Sequence, residues 1–525
     1  MACGRLQRMN GADALIATLA ENGVRTCFAN PGTSELHLVA ALDRQPGMRA
    51  ILGLFEGVVT GAADGYGRMA DAPAMTLLHL GPGFANGLAN LHNARRARSP
   101  IINVIGDHAV DHVALDAPLT SDIDGLAQPM SDWVRRSTSA DDLAQAGAEA
   151  VAVAQRHPGA IATLIAHADH CWSESAVSPT PMTPQFPETA DDDTIAAAAA
   201  ALRASANPCL FLGGPALRGD ALDAAGRIQA ATGARLVCET FPARVERGAD
   251  RVAVERLPYF GDAAMASLSG TDAMVLAGAP APVSFFAYEG QPSRLLPGNA
   301  DVVALCEARD DVAGALTRLA DALDAPAAAT TAREVTAVSP DGPLTPASVA
   351  GVLAECLPEG AIVSDEAATT GLPSFLATTG AAPHDWLTLT GGAIGQGLPV
   401  AVGAAVACPD RPVIALQADG SGLYTLQALW TMAREQLDVT TVIFNNGSYA
   451  ILNIELARVG LADVGNTARS LLDLTQPAID WTTLSTSLGV AATRVTTTAE
   501  YRSALTDALA VRGPRLIEVM VAPRA

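Results

Sequence analysis

The sequence predicts an α/β protein built of three α/β domains, each a mostly parallel sheet flanked by helices. Three observations carry this. Short β-rich runs bounded by glycine alternate with longer Ala/Leu stretches along the chain, the pattern of parallel sheets covered on both faces. Two segments rich in Pro, Ser and Thr, 176–190 and 324–345, interrupt that alternation and read as linkers. With 525 residues, 49% hydrophobic and 17% charged, the chain is long and apolar enough for about three buried cores. The expected blocks are 9–175, 191–323 and 343–525.

Composition excludes several functions. A net charge of −22 lacks the basic footprint that nucleic acid requires. All 33 basic residues are arginines, so there is no Schiff-base lysine and no P-loop lysine. The eight cysteines form no CxxC pair, and Cys27, Cys209, Cys238 and Cys408 lie in apolar runs as reduced core residues. Residues 1–10 hold no apolar signal core. The uncharged stretch 386–409 contains too many glycines and too few large apolar residues for a membrane span. The expected compartment is the cytoplasm, and the expected partners are small molecules, with no membrane and no nucleic acid.

In the first block, 75–80 and 101–106 read as buried strands, with a helix over 86–98 between them. Upstream, Glu56 follows an apolar strand and opens a Gly/Ala-rich helix. A carboxylate in such a setting is costly to bury unless it is paired or shares a proton; it also fits the first turn of a helix as a cap. The middle block has strands at 208–214, 234–240 and 272–278. The third has strands at 361–366, 412–420, 439–447 and 515–521. Ligands of such sheets bind at the carboxyl ends of strands. There, Asp419-Gly420-Ser421 ends one strand, and Asn445-Asn446-Gly447 ends the strand after the next helix, predicted over 423–437. Alone, each is an ordinary turn. Ending two strands around one helix, they offer hard oxygen ligands suited to Mg²⁺ and backbone N–H groups suited to phosphate.

Asp419-Gly420 with Asn446 resembles the GDG…NN signature of thiamine-diphosphate-dependent enzymes, with Ala418 in place of the first glycine. The stretch 390–399 and the segment around Glu56 match the same family. Phe28 to Leu36 and His79 to Gly83 resemble loops of its benzoylformate decarboxylase and acetolactate synthase large-subunit branch. The resemblance covers nearly the whole chain and implies a pyrimidine-binding domain, a central domain and a diphosphate-binding domain. It implies that Asp419, Asn446 and the Ser448 carbonyl hold Mg²⁺. It puts Gly420, Ser421, Thr369 and Thr370 against the diphosphate of thiamine diphosphate. Gly392 would accept the aminopyrimidine amino group, and Ile394 would wedge beneath the bent cofactor; plain core packing is the alternative for Ile394. Glu56 would hydrogen-bond the aminopyrimidine N1′. Thr33 and His79 would face the substrate, although His79 also fits a satisfied core histidine.

The implied chemistry is attack of the C2 ylide on a 2-oxo acid, decarboxylation to an enamine, then protonation or carboligation. The assembly implied is a homodimer or homotetramer with active sites between subunits. Residues 278–286 lack the basic and acidic pattern of the acetolactate synthase FAD site, which argues against FAD, and 284–290 contain no second active-site histidine. The resemblance implies that Ile451 and Glu455 fall on positions that shape substrate choice in both related enzymes, where apolar or aromatic residues occur. A carboxylate at Glu455 disfavours an anionic substrate tail and suits proton transfer or a polar or cationic acceptor; a solvent-facing helix residue is the equal alternative.

Two rival readings remain open at this point. Gly81-Pro82-Gly83-Phe84-Ala85-Asn86-Gly87 follows a strand, with Asp107 about 20 residues on, as in a Rossmann nucleotide-binding oxidoreductase. A catalytically inactive scaffold of the same shape is the other; joint retention of Glu56, Asp419 and Asn446 speaks against it.

Overall fold

A computed structural model describes residues 9–177, 186–298, 300–339, 342–461 and 463–521. Residues 178–185 of the first expected linker and 340–341 of the second lie outside these. The first sheet contains β1 (Thr26–Asn30), β2 (Arg49–Leu52), β3 (Ala74–His79), β4 (Ile101–Asp107), β5 (Trp133–Arg136) and β6 (Ile161–His167). Its order is β2-β1-β3-β4-β6-β5, parallel throughout. The middle segment contributes β7 (Pro208–Leu212), β8 (Arg235–Cys238), β9 (Val245–Arg247), β10 (Glu255–Arg256), β11 (Ala273–Ala277) and β12 (Asp301–Cys306). Five of these form a second parallel sheet, ordered β10-β8-β7-β11-β12.

The third sheet holds β13 (Ala361–Glu366), β14 (His384–Thr388), β15 (Val413–Ala418), β16 (Val439–Asn445), β17 (Ala491–Val495) and β18 (Arg515–Met520). Its order is β17-β18-β16-β15-β13-β14-β9. The seventh strand, β9, comes from the middle segment and runs antiparallel to β14, pairing Arg247 with His384 and Val245 with Trp386. The buried Arg247 guanidinium lies 3.6 Å from the Phe375 ring centroid and donates to the Thr378 and Thr379 hydroxyls. Burial holds its pKa down to about 9.

Fully buried apolar strands such as Ile101–Asp107 and Val439–Asn445 explain why these elements are readable as continuous runs. Burial pushes the thiols of Cys27, Cys209 and Cys238 up to about 12. No helix of the described residues is long and apolar enough to cross a membrane. The stretch 386–409 is divided between β14, a loop and the helix Gly397–Ala407.

Two expected elements differ. The helix expected over 86–98 begins at Leu80 and ends at Ala97, so Gly81, Pro82 and Gly83 form its first turn. The helix expected over 423–437 is shorter, Gln427–Glu435, and a break separates it from a short helical turn, Asp419–Gly422, that precedes the expected start. The break lets the Thr425 hydroxyl donate to the Gly395 carbonyl at 2.9 Å.

The helices Glu56–Ala70 and Gly397–Ala407 join the first and third sheets through a very close contact. A Cβ built on Gly403 falls 1.9 Å from the Ala62 carbonyl oxygen, and one on Gly65 falls 2.1 Å from that of Val400. Small residues on both helices let the backbones touch, and side chains of both enter one shared core. Gly→Ala normally helps a helix by roughly 1 kcal/mol. Here the added methyl meets backbone, so Gly403→Ala is expected to destabilise by about 1–3 kcal/mol, read as a lower urea midpoint; an unchanged midpoint would show that the helices do not pack this way.

Candidate active site

Asp419 lies at the carboxyl end of β15 and is 1% exposed. Its Oδ1 accepts the Gly420 N–H at 2.9 Å, and its Oδ2 accepts the Gly447 N–H at 2.8 Å. β15 and β16 are adjacent and parallel, so this bond ties the turn after one strand to the turn after the next. Burial raises the Asp419 pKa, against the lowering effect of N–H groups from Gly447, Gly420 and Asn446. Asn446 Oδ1 accepts the Ser448 N–H at 2.9 Å. The sequence-predicted set Asp419, Asn446 and Ser448 is therefore gathered at one point. Its donors are all oxygens, with a single carboxylate. Two hydrogen bonds leave an ionised carboxylate further acceptor capacity, so the donor set suits a hard cation that shares its shell with phosphate and water. Among the described residues there is no group of three or more His, Cys, Asp or Glu side chains able to hold a metal.

Gly420 and Ser421 are buried in the turn after Asp419. A Cβ on Gly420 would fall 2.7 Å from the Tyr449 ring and 2.8 Å from Leu474, so a larger residue would push these side chains aside. The Ser421 hydroxyl accepts from Gln417. Thr369 and Thr370 lie in the turn Ala368–Thr370 after β13, which the helix Ala450–Arg458 approaches. Thr370 is buried and Thr369 half-buried. Ala368 carries a φ of +48°, a left-handed conformation that costs a non-glycine residue of order 1–2 kcal/mol.

Gly392 and Ile394 sit on the loop Thr390–Gln396, which is gripped from two sides. From the third sheet, the buried Glu366 carboxylate accepts the Gly395 N–H at 2.6 Å and the Gly397 N–H. From the helix Leu80–Ala97, Asn93 Nδ2 donates to the Ala393 carbonyl at 2.7 Å, while its Oδ1 accepts the Ala393 N–H at 3.1 Å. Asn90 Nδ2 donates to both Gly57, at 2.8 Å, and Gly395, at 3.2 Å. One carboxamide thus links the residue after Glu56 to the residue after Ile394. Gly392 and Gly395 have φ of +75° and +94°, which glycine adopts without strain.

Glu56 opens the helix Glu56–Ala70 and is 7% exposed. Its Oε2 accepts from Asn86 Nδ2 at 3.0 Å. A Cβ on Gly83 would stand 3.1 Å from its Oε1. No hydrogen bond joins Glu56 to Asp419 among the described residues.

His79 ends β3. Its Nδ1 is 2.8 Å from Oε2 of Glu35. Glu35 is fully buried, and the same oxygen accepts the Gly32 N–H at 2.8 Å. Burial raises the Glu35 pKa; the Gly32 N–H and His79 oppose the rise. The Gly32 backbone lies flat on the imidazole, since a Cβ there would approach it to 2.3 Å. Thr33, the next residue, is exposed beside this pair. Leu80, directly after His79, has φ +48°, so the turn that aims the imidazole is itself strained.

Ile451 and Glu455 lie one turn apart on the helix Ala450–Arg458. The Tyr288 hydroxyl lies 3.0 and 2.9 Å from the two Glu455 oxygens, and Tyr259 hydrogen-bonds to Glu455 as well. Sequence reading missed Glu35, Glu366, Asn86, Asn90, Asn93, Tyr259 and Tyr288. The first two had a usable signal, a carboxylate closing a strand or turn. The tyrosines had none.

The Rossmann reading fails on contact. Cβ atoms on Gly81, Gly83 and Gly87 would meet Ser121, Glu56 with His79, and Thr60. These glycines admit protein side chains, not a pyrophosphate, and Asp107 is paired with Arg136. An arginine-rich cavity of about 1050 Å³ lies between the first and middle domains, bordered by Arg95, Arg96, Arg98 and Arg218. Neither Glu56, His79 nor Asp419 lines it.

Residues 9–130 match the model of the thiamine pyrophosphate enzyme N-terminal TPP binding domain, and 373–519 match that of the C-terminal TPP binding domain. The "Putative acetolactate synthase large subunit IlvX" of Mycobacterium tuberculosis is 54% identical over 98% of this chain and 99% of its own. The chain belongs to the thiamine pyrophosphate enzyme family. Benzoylformate decarboxylase of Pseudomonas aeruginosa is 29% identical over 95% of this chain and 97% of its own. The solved thiamine diphosphate-dependent 4-hydroxybenzoylformate decarboxylase of Rhodococcus jostii superposes with a TM-score of 0.85 at 25% identity, covering 98% of this chain and 99% of that one. Relatives named as acetolactate synthases and decarboxylases place the chain among family enzymes of that type.

Burial pushes the Glu366 pKa up to about 6 from 4.5. The folded state therefore holds this proton more tightly than the unfolded chain, and the protonated carboxyl favours folding below pH 4.5. Stability from this group is lost as pH rises from about 4.5 through 6, by about 2 kcal/mol. Glu366→Gln should remove that component from the pH dependence of the urea midpoint; an identical slope in both proteins would show that Glu366 does not titrate there.

Proposed function

We propose that this protein is a thiamine-diphosphate- and Mg²⁺-dependent enzyme that cleaves or forms the carbon–carbon bond beside the carbonyl of a 2-oxo acid. The reading rests above all on the buried Asp419 carboxylate, pinned to the Asn446–Gly447 turn at the carboxyl ends of two adjacent parallel strands, where ligands of such sheets bind. Asp419, the Asn446 carboxamide oxygen and the Ser448 carbonyl would hold the metal. Gly420, Ser421, Thr369 and Thr370 would lie against the diphosphate. The Gly392 carbonyl would receive the aminopyrimidine amino group, and Ile394 would support the cofactor from below.

When bound, thiamine diphosphate supplies a nucleophilic carbon and an electron sink for the carbon that loses CO₂. The chain's own task is positioning and proton control. Glu56 would share a proton with the aminopyrimidine ring nitrogen and so select its tautomer. His79, held through Nδ1 by Glu35, would present Nε2 to the substrate. Thr33 borders the same space. A proton or a second carbonyl reaching the reacting carbon yields a decarboxylase-like or an acetolactate synthase-like product.

Glu56 and Asp419 would meet across the interface of a homodimer, or of a homotetramer of two such pairs. Among the described residues Asn86 is the one side chain that donates to the Glu56 carboxylate, which leaves it acceptor capacity for a ring nitrogen.

Thiamine diphosphate with Mg²⁺ should raise the thermal unfolding temperature, and Asp419→Ala should abolish that shift. Glu56→Gln should still bind the cofactor yet slow exchange of the thiazolium C2 proton and turnover of 2-oxo acids by about 10²–10⁴-fold. Exchange as fast in Glu56→Gln as in the unmutated protein would falsify the assignment.

A further inference from the structure

We infer that Glu455, walled by aromatic side chains of the middle domain, recognises a positively charged group at the far end of the 2-oxo acid. This rests on the proposed function and names the substrate class of that same site.

The carboxylate is half-buried and ringed by phenols. Tyr288 and Tyr259 both direct their hydroxyls at it. Burial and then the neighbouring Glu455 push the Tyr288 hydroxyl up to about 12, so it stays protonated and neutral. Arg458 stands on the same helix. It is already spent: it pairs with Asp262 and lies 4.1 Å from the Phe260 ring centroid. That pair is neutral, and among the described residues no arginine or histidine forms an ion pair with Glu455.

The surrounding wall is aromatic. Tyr259 lies 5.3 Å from Phe285, Phe286 lies 4.9 Å from Phe285 and Phe241 lies 5.4 Å from it, centroid to centroid. Phe285 and Phe286 are 40% and 53% exposed, so ring surface remains open to a ligand. The wall also reaches the reacting end: a Cβ on Gly392 would fall 2.7 Å from the Phe285 Cζ. Aromatic surface therefore runs from the loop carrying Ile394 to the carboxylate. Phe241 and Phe285 also border the arginine-rich cavity, but Tyr259, Tyr288 and Glu455 do not.

A lone carboxylate beside aromatic faces matches an organic cation. An ammonium or guanidinium gains an ion pair with hydrogen bonds, and its charge is attracted by the rings. A second carboxylate on the substrate is repelled, and a plain alkyl tail leaves Glu455 with its two phenol hydrogen bonds but no counter-charge.

The test uses the holoenzyme with 5-guanidino-2-oxopentanoate, 2-oxohexanoate and 2-oxoadipate as cationic, neutral and anionic tails. The cationic acid should exceed the neutral one in kcat/KM by about 10- to 100-fold, the size of one charge-assisted hydrogen bond, mainly through KM. The anionic acid should rank last. Glu455→Gln should collapse the cationic-to-neutral ratio, whereas Tyr288→Phe, which keeps the charge, should preserve a cationic preference. Independently of turnover, 5-guanidinopentanoate should raise the holoenzyme's unfolding temperature more than hexanoate, and Glu455→Gln should cancel the difference. Neutral acids preferred by a protein that binds thiamine diphosphate would overturn the cationic tail alone. Failure to bind thiamine diphosphate at all would overturn both readings. An equal loss of preference in Tyr288→Phe and Glu455→Gln would overturn recognition by charge.

Discussion

The backbone N–H groups of Gly395 and Gly397 converge on the buried carboxylate of Glu366, and the geometry of the candidate site depends on that convergence. The loop between β14 and the helix Gly397–Ala407 is rich in glycine and has little intrinsic shape. Glu366 gives it an anchor on the third sheet, and Asn90 with Asn93 gives it a second anchor on the first domain. Each bond alone is worth on the order of 1 kcal/mol net, and more where a charge is involved. Together they fix Gly392 and Ile394 relative to the turns that carry Asp419 and Asn446. The carboxylate bears the desolvation cost, visible in its raised pKa.

The first domain repeats the device. Glu35 is buried between Gly32 and Gly106, its Oε2 on the Gly32 N–H and the His79 imidazole. Its Oε1 has no hydrogen-bond partner among the described residues, an expensive arrangement that structure elsewhere must compensate. The strained Leu80 beside it points the same way. Stored cost of this kind gathers where a side chain must be aimed rather than merely accommodated.

Much of this was legible in the sequence because the strands are short, fully buried and bounded by glycine. The runs at 101–106, 361–366 and 439–447 all became strands with small shifts in their ends. The Asp419 and Asn446 turns could be paired on paper because one helix separates their strands. What escaped reading was non-local. Nothing in Val245–Arg247 shows that it leaves its own domain's sheet for β14. Tyr259 and Tyr288 sit some 200 and 170 positions before Glu455, and no periodicity links them. The helix start at Leu80 was missed because Gly-Pro-Gly reads as a loop, whereas here the glycines are footprints of Ser121, Glu56, His79 and Thr60.

The transfer of β9 to the third sheet has a mechanical consequence. This three-residue stitch, clamped by Arg247 on Phe375, gears the middle domain to the sheet whose strand ends carry Asp419 and Asn446. The two tyrosines ride on the middle domain and Glu455 on the third, so the stitch holds both jaws of that grip at a fixed gape. A change in the length of 248–258, remote from any reacting atom, would re-space the jaws as effectively as replacing a residue within them.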